Sequence, residues 1–266
     1  MRLRMALVMG VLNVTPDSFS DGGLWFDPTA AIEHGRALFA EGADVVDVGG
    51  ESTRPGATPV DPDEEARRVV PVIEALATFG RVSVDTRHAT VAKSAVAAGA
   101  TLVNDVSASA DLWAVAADAG PSVGYVAMHM QGLPGTMQAD PRYADVVSEV
   151  RDFLVERANA ARDAGVAEVW IDPGIGFGKT ADHNLSLLRR LDVFVETGYP
   201  VLVGASRKRF LQQIVGSSAD DVLEGSLASA VVAMASGAAM VRVHDVLETV
   251  HASQLVGTTR LVGTTP

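Results

Sequence analysis

Hydrophobic and polar positions along this chain fall into a regular alternation of short and long segments. Eight short runs are nearly continuous in apolar and β-branched residues, which is typical of parallel strands buried on both faces. These predicted strands span residues 6–14, 43–49, 81–86, 101–106, 123–129, 168–173, 201–206 and 240–246. Longer segments rich in Ala, Glu and Arg lie between them and predict helices over residues 28–41, 62–79, 89–98, 111–119, 143–164, 183–196, 220–236 and 246–256.

Eight strands that alternate with eight helices predict an α/β fold, a single (β/α)₈ TIM barrel. A doubly wound open sheet is the main alternative, because periodicity does not distinguish the two. No Pro- or Ser-rich linker interrupts the 266 residues. We therefore predict one barrel domain over residues 1–256, followed by a weakly ordered tail over residues 257–266.

Composition narrows the classes of partner. The chain has 21 Lys and Arg against 33 Asp and Glu, and its net charge of −12 argues against general binding to nucleic acid, which needs a concentrated basic face. No segment reaches the roughly 18 consecutive apolar residues of a membrane span, and the apolar opening run is interpreted as the first strand. The absence of cysteine excludes disulfides and thiolate chemistry, and it is compatible with the cytoplasm, where we expect the protein.

Side chains suited to binding or chemistry stand at the C-terminal ends of seven predicted strands. In a barrel these ends meet at one mouth, where active sites lie, although a single Asp or Asn after a strand is usually a turn or cap residue. The residues are Asn13, Asp85, Asn104, Asp105, Met128, His129, Asp172, Ser206, Arg207, Lys208, Arg242 and His244. Seven such strands out of eight predict a site at the mouth.

Lys208, Arg242 and His244 form a predicted cationic cluster at the ends of the last two strands, where barrels frequently bind phosphate. Such a cluster favours an anionic small molecule. The alternative is a set of ion pairs with acidic residues of neighbouring loops.

Asp85, Asn104 and Asp172 form a second predicted group. Two carboxylates and an amide suit the edge of a flat heterocycle with amino and oxo groups. A carboxylate pair is equally suited to acid–base chemistry, and the sequence does not separate the two roles.

Two polar loops, residues 13–23 and 49–57, have no helix or strand pattern and are typical of loops that close over a substrate. A plain surface connection is the alternative. A second binding site is predicted from Phe19 in the first loop and Thr53, Arg54 and Pro55 in the second.

The stretch DPGIGFGKT, residues 172–180, resembles a Walker A loop, but Pro173 stands where that pattern needs glycine. We interpret its glycines as allowing the backbone to approach a ligand beside Asp172. Metal sites are weakly signalled: Asn13 is a candidate ligand for Mg²⁺, which takes few protein ligands and shares substrate phosphates. Four histidines lie in or beside predicted helices without metal-binding spacing and are predicted to be surface or cap residues: His34, His88, His183 and His251.

Eight motifs together resemble those of the dihydropteroate synthases, in the same order and over residues 9–246. They are NVTPDSFSDGG, DVGGESTRPGA, SVDT, NDVS, MHMQG, DPGIGFGKT, GASRK and VRVHDV. The resemblance implies a TIM barrel that joins 6-hydroxymethyl-7,8-dihydropterin diphosphate to p-aminobenzoate in folate synthesis, with release of diphosphate and 7,8-dihydropteroate. It also implies a homodimer that uses Mg²⁺ and is inhibited by sulfonamides.

The same resemblance implies a role for each matching residue. The pterin is held by Asp85, Asn104, Met128, Asp172 and Lys208, and the diphosphate by Thr53, Arg242 and His244, with Asn13 contributing to Mg²⁺ binding. The p-aminobenzoate site consists of Phe19, Thr53, Arg54, Pro55, Phe177 and Ser206. The expected catalytic residues are Arg54, Lys208, Arg242 and His244.

The predicted groups fit this chemistry, because loss of diphosphate places negative charge on the leaving group and positive charge in the pterin. Arg242, His244 and Mg²⁺ would stabilise the first charge, and the carboxylates the second. One alternative is a methyltetrahydrofolate-dependent methyltransferase module, another pterin-binding barrel that needs no diphosphate site. A catalytically silent homologue is the other, and such a chain is expected to have lost parts of the two loops or of the cationic cluster.

Overall fold

The computed structural model describes residues 6–15, 28–52, 59–133, 135–215 and 222–262. Over these residues, strands alternate with helices along the chain. The strands are β1 (Leu7–Asn13), β2 (Val45–Gly49), β3 (Arg81–Asp85), β4 (Leu102–Asp105), β5 (Gly124–Met128), β6 (Val169–Asp172), β7 (Leu202–Val203) and β8 (Met240–Val243). The helices are α1 (Pro28–Glu41), α2 (Pro62–Leu76), α3 (Ala89–Ala97), α4 (Ala110–Ala119), α5 (Val146–Asp163), α6 (Ala181–Arg189), α7 (Asp192–Val195), α8 (Arg209–Val215), α9 (Leu223–Ala235) and α10 (Val246–Val262).

The eight strands form one parallel sheet in the order β6-β5-β4-β3-β2-β1-β8-β7. A further parallel bridge, between Ile171 and Val201, joins the two ends of this order. The sheet therefore closes on itself, which confirms the predicted barrel and excludes the open doubly wound sheet.

Successive side chains of each strand point alternately into the barrel and towards the helices. The helix-facing side chains join the largest buried core, between the sheet and the surrounding helices. The lower part of the barrel interior is filled by a separate apolar cluster of Met9, Val45, Leu102, Val126, Trp170, Leu202 and Met240. Polar interior side chains lie above this cluster, towards the C-terminal ends of the strands, and also at its lower end, where Arg81 pairs with Glu168.

Several element boundaries differ from those predicted. The predicted helix 143–164 begins at Val146, because the Asp145 side chain caps it by accepting bonds from the backbone N–H groups of Val147 and Ser148. The predicted helix 183–196 is two helices, α6 and α7. Helix α8 was not predicted, since its seven residues are too few for a clear periodic pattern.

The last helix, α10, continues to Val262, beyond the end predicted at residue 256. The added turn contains Gly and two Thr, which are weak helix formers and conceal it in the sequence. Within the described part of the chain, no helix combines the length and the apolar content needed to cross a membrane.

Candidate active site

The barrel mouth is formed by polar side chains that follow the apolar cluster along the interior face of several strands. Asp85 on β3 is the register partner of Asn104 on β4, and Met128 on β5 is that of Asp172 on β6. Arg242 on β8 reaches across the barrel, and its Nη2 donates to Asp85 Oδ2 at 2.8 Å. The structure thus brings together residues that are distant in sequence, as predicted from the strand ends.

Asp47 on β2 lies at the centre of this group, although the sequence reasoning missed it. Its side chain is fully buried, and its Oδ2 accepts from Arg242 Nε at 2.6 Å and from Asn104 Nδ2 at 3.0 Å. Asp47 precedes the end of its strand by two residues, inside an apolar run, so that a search of strand ends does not reach it. The available signal was its spacing: Asp47 lies two residues before Gly49 at the strand end, and residues two apart share one face of a strand.

Arg242 is therefore paired with two carboxylates, those of Asp47 and Asp85. This is the ion-pair alternative considered for it, except that the partners come from strands rather than loops. A guanidinium carries five N–H groups and these contacts use two of them, so three remain to bind a ligand.

The two predicted carboxylates have raised pKa values. Burial raises the pKa of Asp85 to about 7, with Arg242 opposing and Asp47 reinforcing the shift. Burial also raises the pKa of Asp172 to about 6, against the effect of the Gly174 N–H, which donates to its Oδ1 at 2.7 Å. Both groups titrate near neutral pH, which suits either anchoring or proton transfer.

Lys208 follows β7 and lies over an aromatic ring, with its Nζ 3.9 Å from the centroid of the Phe177 ring. Burial, followed by the charge of Arg242, lowers the pKa of Lys208 to about 8. Gly176, with φ of +83°, lies beneath this side chain, and a Cβ built on it would be 3.0 Å from Lys208 Cδ. At Gly174, a Cβ would be 1.8 Å from the carbonyl oxygen of His129. These glycines allow this segment to approach the Lys208 side chain and the His129 carbonyl closely, and the approach of a ligand beside Asp172 stays a prediction.

Lys179, which was not singled out from the sequence, holds the segment of residues 173–179. Its Nζ lies 2.9 Å from Phe177 O, 3.0 Å from Gly174 O, 3.2 Å from His129 O and 2.9 Å from His129 Nδ1. Burial and the charge of Lys179 lower the pKa of His129 to about 3, so the ring is neutral and Nδ1 accepts. His129 is thus engaged with this segment rather than exposed at the mouth.

Ser206 and His244 form a pair at the ends of the last two strands. Ser206 Oγ accepts from the His244 backbone N–H at 3.2 Å and lies 3.1 Å from His244 Nδ1. A serine hydroxyl has one hydrogen and two lone pairs, so Oγ either donates to Nδ1 or accepts from it as well, according to the tautomer of the ring. Burial and the charge of Arg242 lower the pKa of His244 to about 3. The His244 ring is therefore neutral at pH 7, which corrects its assignment to a cationic cluster.

An apolar patch adjoins these polar groups. Phe177 and Met128 are buried together with Val106 and Met137, with Met130 packed against them. This brings a residue predicted for the pterin and one predicted for p-aminobenzoate into one cluster.

Asp105 and Arg207 do not join the mouth. The Asp105 carboxylate accepts from the Tyr125 hydroxyl at 2.8 Å and from the Ser109 N–H at 2.7 Å, so it stabilises the start of α4. Arg207 pairs with Asp245, where its side chain is half exposed. Four predicted residues, Phe19, Thr53, Arg54 and Pro55, lie outside the described residues.

Two places offer side chains that could bind a metal. Asn13, half-buried at the end of β1, makes no side-chain hydrogen bond to the residues that the structure describes, so its amide oxygen is available as one ligand. Glu51, Glu65 and His88 bring ligand atoms within 4.8 Å of one another. There, however, Arg87 donates to both carboxylate oxygens of Glu51, at 2.9 and 3.0 Å, and supplies the positive charge itself.

Two of the histidines predicted to be surface or cap residues, His183 and His88, have different environments. His183 and Thr180 form a reciprocal capping box at the start of α6, which confirms a cap residue. His88 is at the N-cap position of α3, but its ring contacts the buried Glu65, at 2.7 Å between Nδ1 and Oε2.

A closed barrel with a mouth of this kind corresponds to a known class of protein. Residues 9–244 match the family described as pterin binding enzyme, and the chain belongs to that family. The dihydropteroate synthase of Escherichia coli K12 is 45% identical over 256 residues, which cover 95% of this chain and 91% of the relative. This similarity places the chain with the dihydropteroate synthases, which are transferases, and confirms the resemblance seen in the motifs.

Solved structures agree with this assignment. The chain is similar to Xanthomonas albilineans dihydropteroate synthase with 4-aminobenzoic acid, at 46% identity and a TM-score of 0.88, over 98% of this chain and 94% of that one. It is also similar to the dihydropteroate synthase of Thermus thermophilus in complex with 6HMPPP, at 42% identity and a TM-score of 0.81, over 97% of this chain and 94% of that one.

Proposed function

We propose that this enzyme condenses 6-hydroxymethyl-7,8-dihydropterin diphosphate with p-aminobenzoate to give 7,8-dihydropteroate and diphosphate. The observation that carries the proposal is the convergence of Asp85, Asn104, Asp172, Lys208 and Arg242 at one barrel mouth. The bound molecules of the two similar structures, 4-aminobenzoic acid and 6HMPPP, support the same pair of substrates.

The pterin subsite consists of hydrogen-bonding groups above the apolar cluster. Asn104 and the carboxylates of Asp85 and Asp172 bind the polar edge of the heterocycle, and Lys208 donates to its oxo group. Met128 packs against the ring, since it lies in the apolar patch beside these groups. With a pKa of about 7, the Asp85 carboxyl is partly protonated at neutral pH. Asp172, with a pKa of about 6, is mostly ionised there and stabilises positive charge that develops in the ring.

The diphosphate subsite is built on β8 and on the second polar loop. Arg242 has three N–H groups left after its contacts with Asp47 and Asp85, and His244 contributes a polar ring without a formal charge. Thr53 completes the subsite as proposed from the motif.

In the reaction, the bond between the pterin methylene carbon and the diphosphate oxygen breaks, and its electron pair leaves with diphosphate. The amine nitrogen of p-aminobenzoate then forms the new C–N bond and loses a proton. Arg242, Lys208, His244 and Arg54 are the proposed catalytic residues. Arg242 and His244 stabilise the charge on the departing group, Lys208 holds the pterin oxo group, and Arg54 is proposed from the motif of the second loop. A carbocation-like pterin is a strong electrophile, so the amine needs no strong base.

The p-aminobenzoate subsite adjoins the Lys208–Phe177 contact. The Phe177 ring forms one wall, and Ser206 supplies a hydroxyl that is hydrogen-bonded to His244 of the diphosphate subsite. This bond connects the two subsites directly. The remaining members of the subsite, Phe19, Thr53, Arg54 and Pro55, are proposed from the motifs of the two loops.

Magnesium is proposed as the metal, with Asn13 as a ligand. A single amide oxygen fits a cation that retains water and shares substrate phosphates, whereas the Glu51 oxygens near His88 are already bound by Arg87. When bound, Mg²⁺ supplies positive charge to the diphosphate. Chelation is expected to weaken pterin diphosphate binding, and Asn13→Ala to raise the Mg²⁺ concentration required for half-maximal activity.

A homodimer is proposed through the last two long helices. Four of the seven large apolar side chains that are exposed in the described part of the chain lie on α9 and α10: Leu223, Val232, Leu247 and Leu255, which is 67% exposed. Burial against a second copy would remove this apolar surface from water. Light scattering should give a dimer mass, and Leu255→Asp should reduce it towards the monomer.

Two further proposals concern the chain as a whole. We propose that residues 1–256 act as one domain and that the segment 257–266 is not required for activity, which deletion tests. We also propose a cytoplasmic location, which cell fractionation tests.

The activity itself is tested with purified protein, the pterin diphosphate, Mg²⁺ and p-aminobenzoate. We expect formation of dihydropteroate with release of one diphosphate for each turnover. If pterin diphosphate binds but no product forms while a control synthase is active, the chain is a silent homologue and the proposal is wrong.

A further inference from the structure

Asp47 is the most deeply buried charged group of the mouth, and the mechanism above gives it no direct contact with substrate. Its side chain is fully buried on β2, and one oxygen, Oδ2, receives both of its hydrogen bonds. The other oxygen, Oδ1, is buried and has no hydrogen-bond partner among the described residues. The contacts of Asp47 are with Arg242 and Asn104, which the proposed function assigns to the diphosphate and the pterin.

Stability alone does not account for a carboxylate at this position. A buried ion pair gains little over well-packed apolar residues, because both charges must be taken out of water. The neighbouring strand carries the apolar Val11 in register with Asp47, and the same strand face carries Val45 one step lower. An apolar side chain would therefore continue the pattern of this part of the barrel, without a carboxylate oxygen left unpaired.

The carboxylate fixes which atoms Asn104 presents. An ionised carboxylate only accepts hydrogen bonds, so the group that faces Asp47 at 3.0 Å is the NH₂ of Asn104. The amide is planar, and its carbonyl oxygen must then point the other way. Asn104 is held as an acceptor for a ligand N–H group, and a flip of the amide would break the bond to Asp47.

The same carboxylate fixes the plane of Arg242. Asp47 holds Nε, Asp85 holds Nη2, and two contacts on a planar guanidinium determine its orientation. The remaining N–H groups are then aimed in one direction at no further entropic cost when a ligand binds.

We infer that Asp47 is a positioning residue, which orients Arg242 and the Asn104 amide for the pterin diphosphate. The inference rests on the proposed function, because it assumes that these two side chains bind substrate. It goes beyond that function in adding a residue without substrate contact that sets the affinity for one substrate and not for the other.

The test is the Asp47→Asn variant, which preserves size and removes the charge. We expect the KM for pterin diphosphate to rise by about tenfold, the equivalent of one charge-assisted hydrogen bond, while the KM for p-aminobenzoate stays within about twofold. In an Asn104→Ala background the same substitution should have a smaller effect on pterin diphosphate affinity, because the two residues act together.

Asp105→Asn is the matched control. Asp105 is also a fully buried carboxylate, on the next strand but one, and its bonds are to the helix layer. We expect this variant to lower the melting temperature and to leave both KM values of the folded enzyme unchanged.

The outcomes distinguish failure of the proposed function from failure of the positioning role of Asp47. If the unmodified enzyme makes no product, the proposed function fails. If it is active but folded Asp47→Asn changes neither KM, or raises both equally, the positioning role is overturned. Asp47→Ser, which is smaller and cannot clash, serves if Asp47→Asn does not fold; failure of both to fold beside a folded Asp105→Asn would assign Asp47 to stability and overturn the inference.

Discussion

Replacing Lys179 by methionine tests how the segment that carries Phe177 is held in place. The Lys179 side chain is 3% exposed, and its Nζ faces three carbonyl oxygens and His129 Nδ1, all within 3.2 Å. Methionine has a similar length but no donor. The variant removes the Nζ hydrogens from these acceptors, and we expect it to destabilise the fold and to raise the KM for p-aminobenzoate.

The size of the destabilisation depends on pH in a way that identifies the group. Burial lowers the pKa of Lys179 from 10.5 to about 7, so between these values the unfolded chain binds a proton that the folded chain lacks. The free energy of unfolding of the unmodified protein therefore rises with pH in this window, by at most about 1.4 kcal/mol per pH unit from this group. The variant lacks this contribution, so its deficit should grow as the pH rises from 7 towards 10.

Urea unfolding at pH 7, 8 and 9, followed by tryptophan fluorescence, measures this deficit. Lys93→Met, at an exposed position of α3, is the control and should show no change of deficit with pH. A Lys179→Met deficit that stays constant or shrinks with rising pH would refute the reasoning.

Three further predictions concern the mouth. Arg242→Ala should weaken the binding of pterin diphosphate, measured by calorimetry, more than that of p-aminobenzoate, and equal losses would contradict its assignment. Burial raises the pKa of Asp85 to about 7, so if its carboxylate stabilises positive charge in the pterin, kcat/KM should rise with pH from 6 to 8, and a fall would exclude that role. Gly176→Ala, at φ of +83° and with a Cβ 3.0 Å from Lys208 Cδ, should cost about 1–2 kcal/mol of stability and raise the KM for pterin diphosphate. Gly135→Ala, where no atom of the described residues lies within 4 Å of the added Cβ, should change neither quantity.

The barrel and much of its mouth can be predicted from the sequence, because the topology alone determines which strand ends come together. Once the strands are parallel and the sheet closes, their C-terminal ends must meet, and Asp85, Asn104 and Asp172 come together without any knowledge of side-chain contacts. The same reasoning considers only strand ends, so it does not identify Asp47, which lies inside its strand. Finding it requires the inward or outward direction of each strand residue, and a continuous apolar run conceals that alternation.

The sequence also does not show which way a side chain points or whether a titratable side chain is protonated. Asn104 and Asp105 are adjacent and equally polar, yet one faces the interior and the other faces the helices, so their roles diverge. His244 was grouped with the cations by residue type. Only burial and the nearby charge of Arg242 show that its ring is neutral.

The balance of charge at the mouth bears on how an acidic chain takes an anionic substrate. Among the residues that the structure describes, three acidic and three basic side chains lie at or beside the mouth: Asp47, Asp85, Asp172, Lys179, Lys208 and Arg242. Formal neutrality suits an uncharged heterocycle, because neither sign is left in excess by its arrival. The diphosphate then requires positive charge from beyond this set. The sources that the sequence offers are Mg²⁺, which we propose to bind at Asn13, and Arg54 of the second loop. This is why we propose a role for a metal and a loop although three basic side chains already lie at the site.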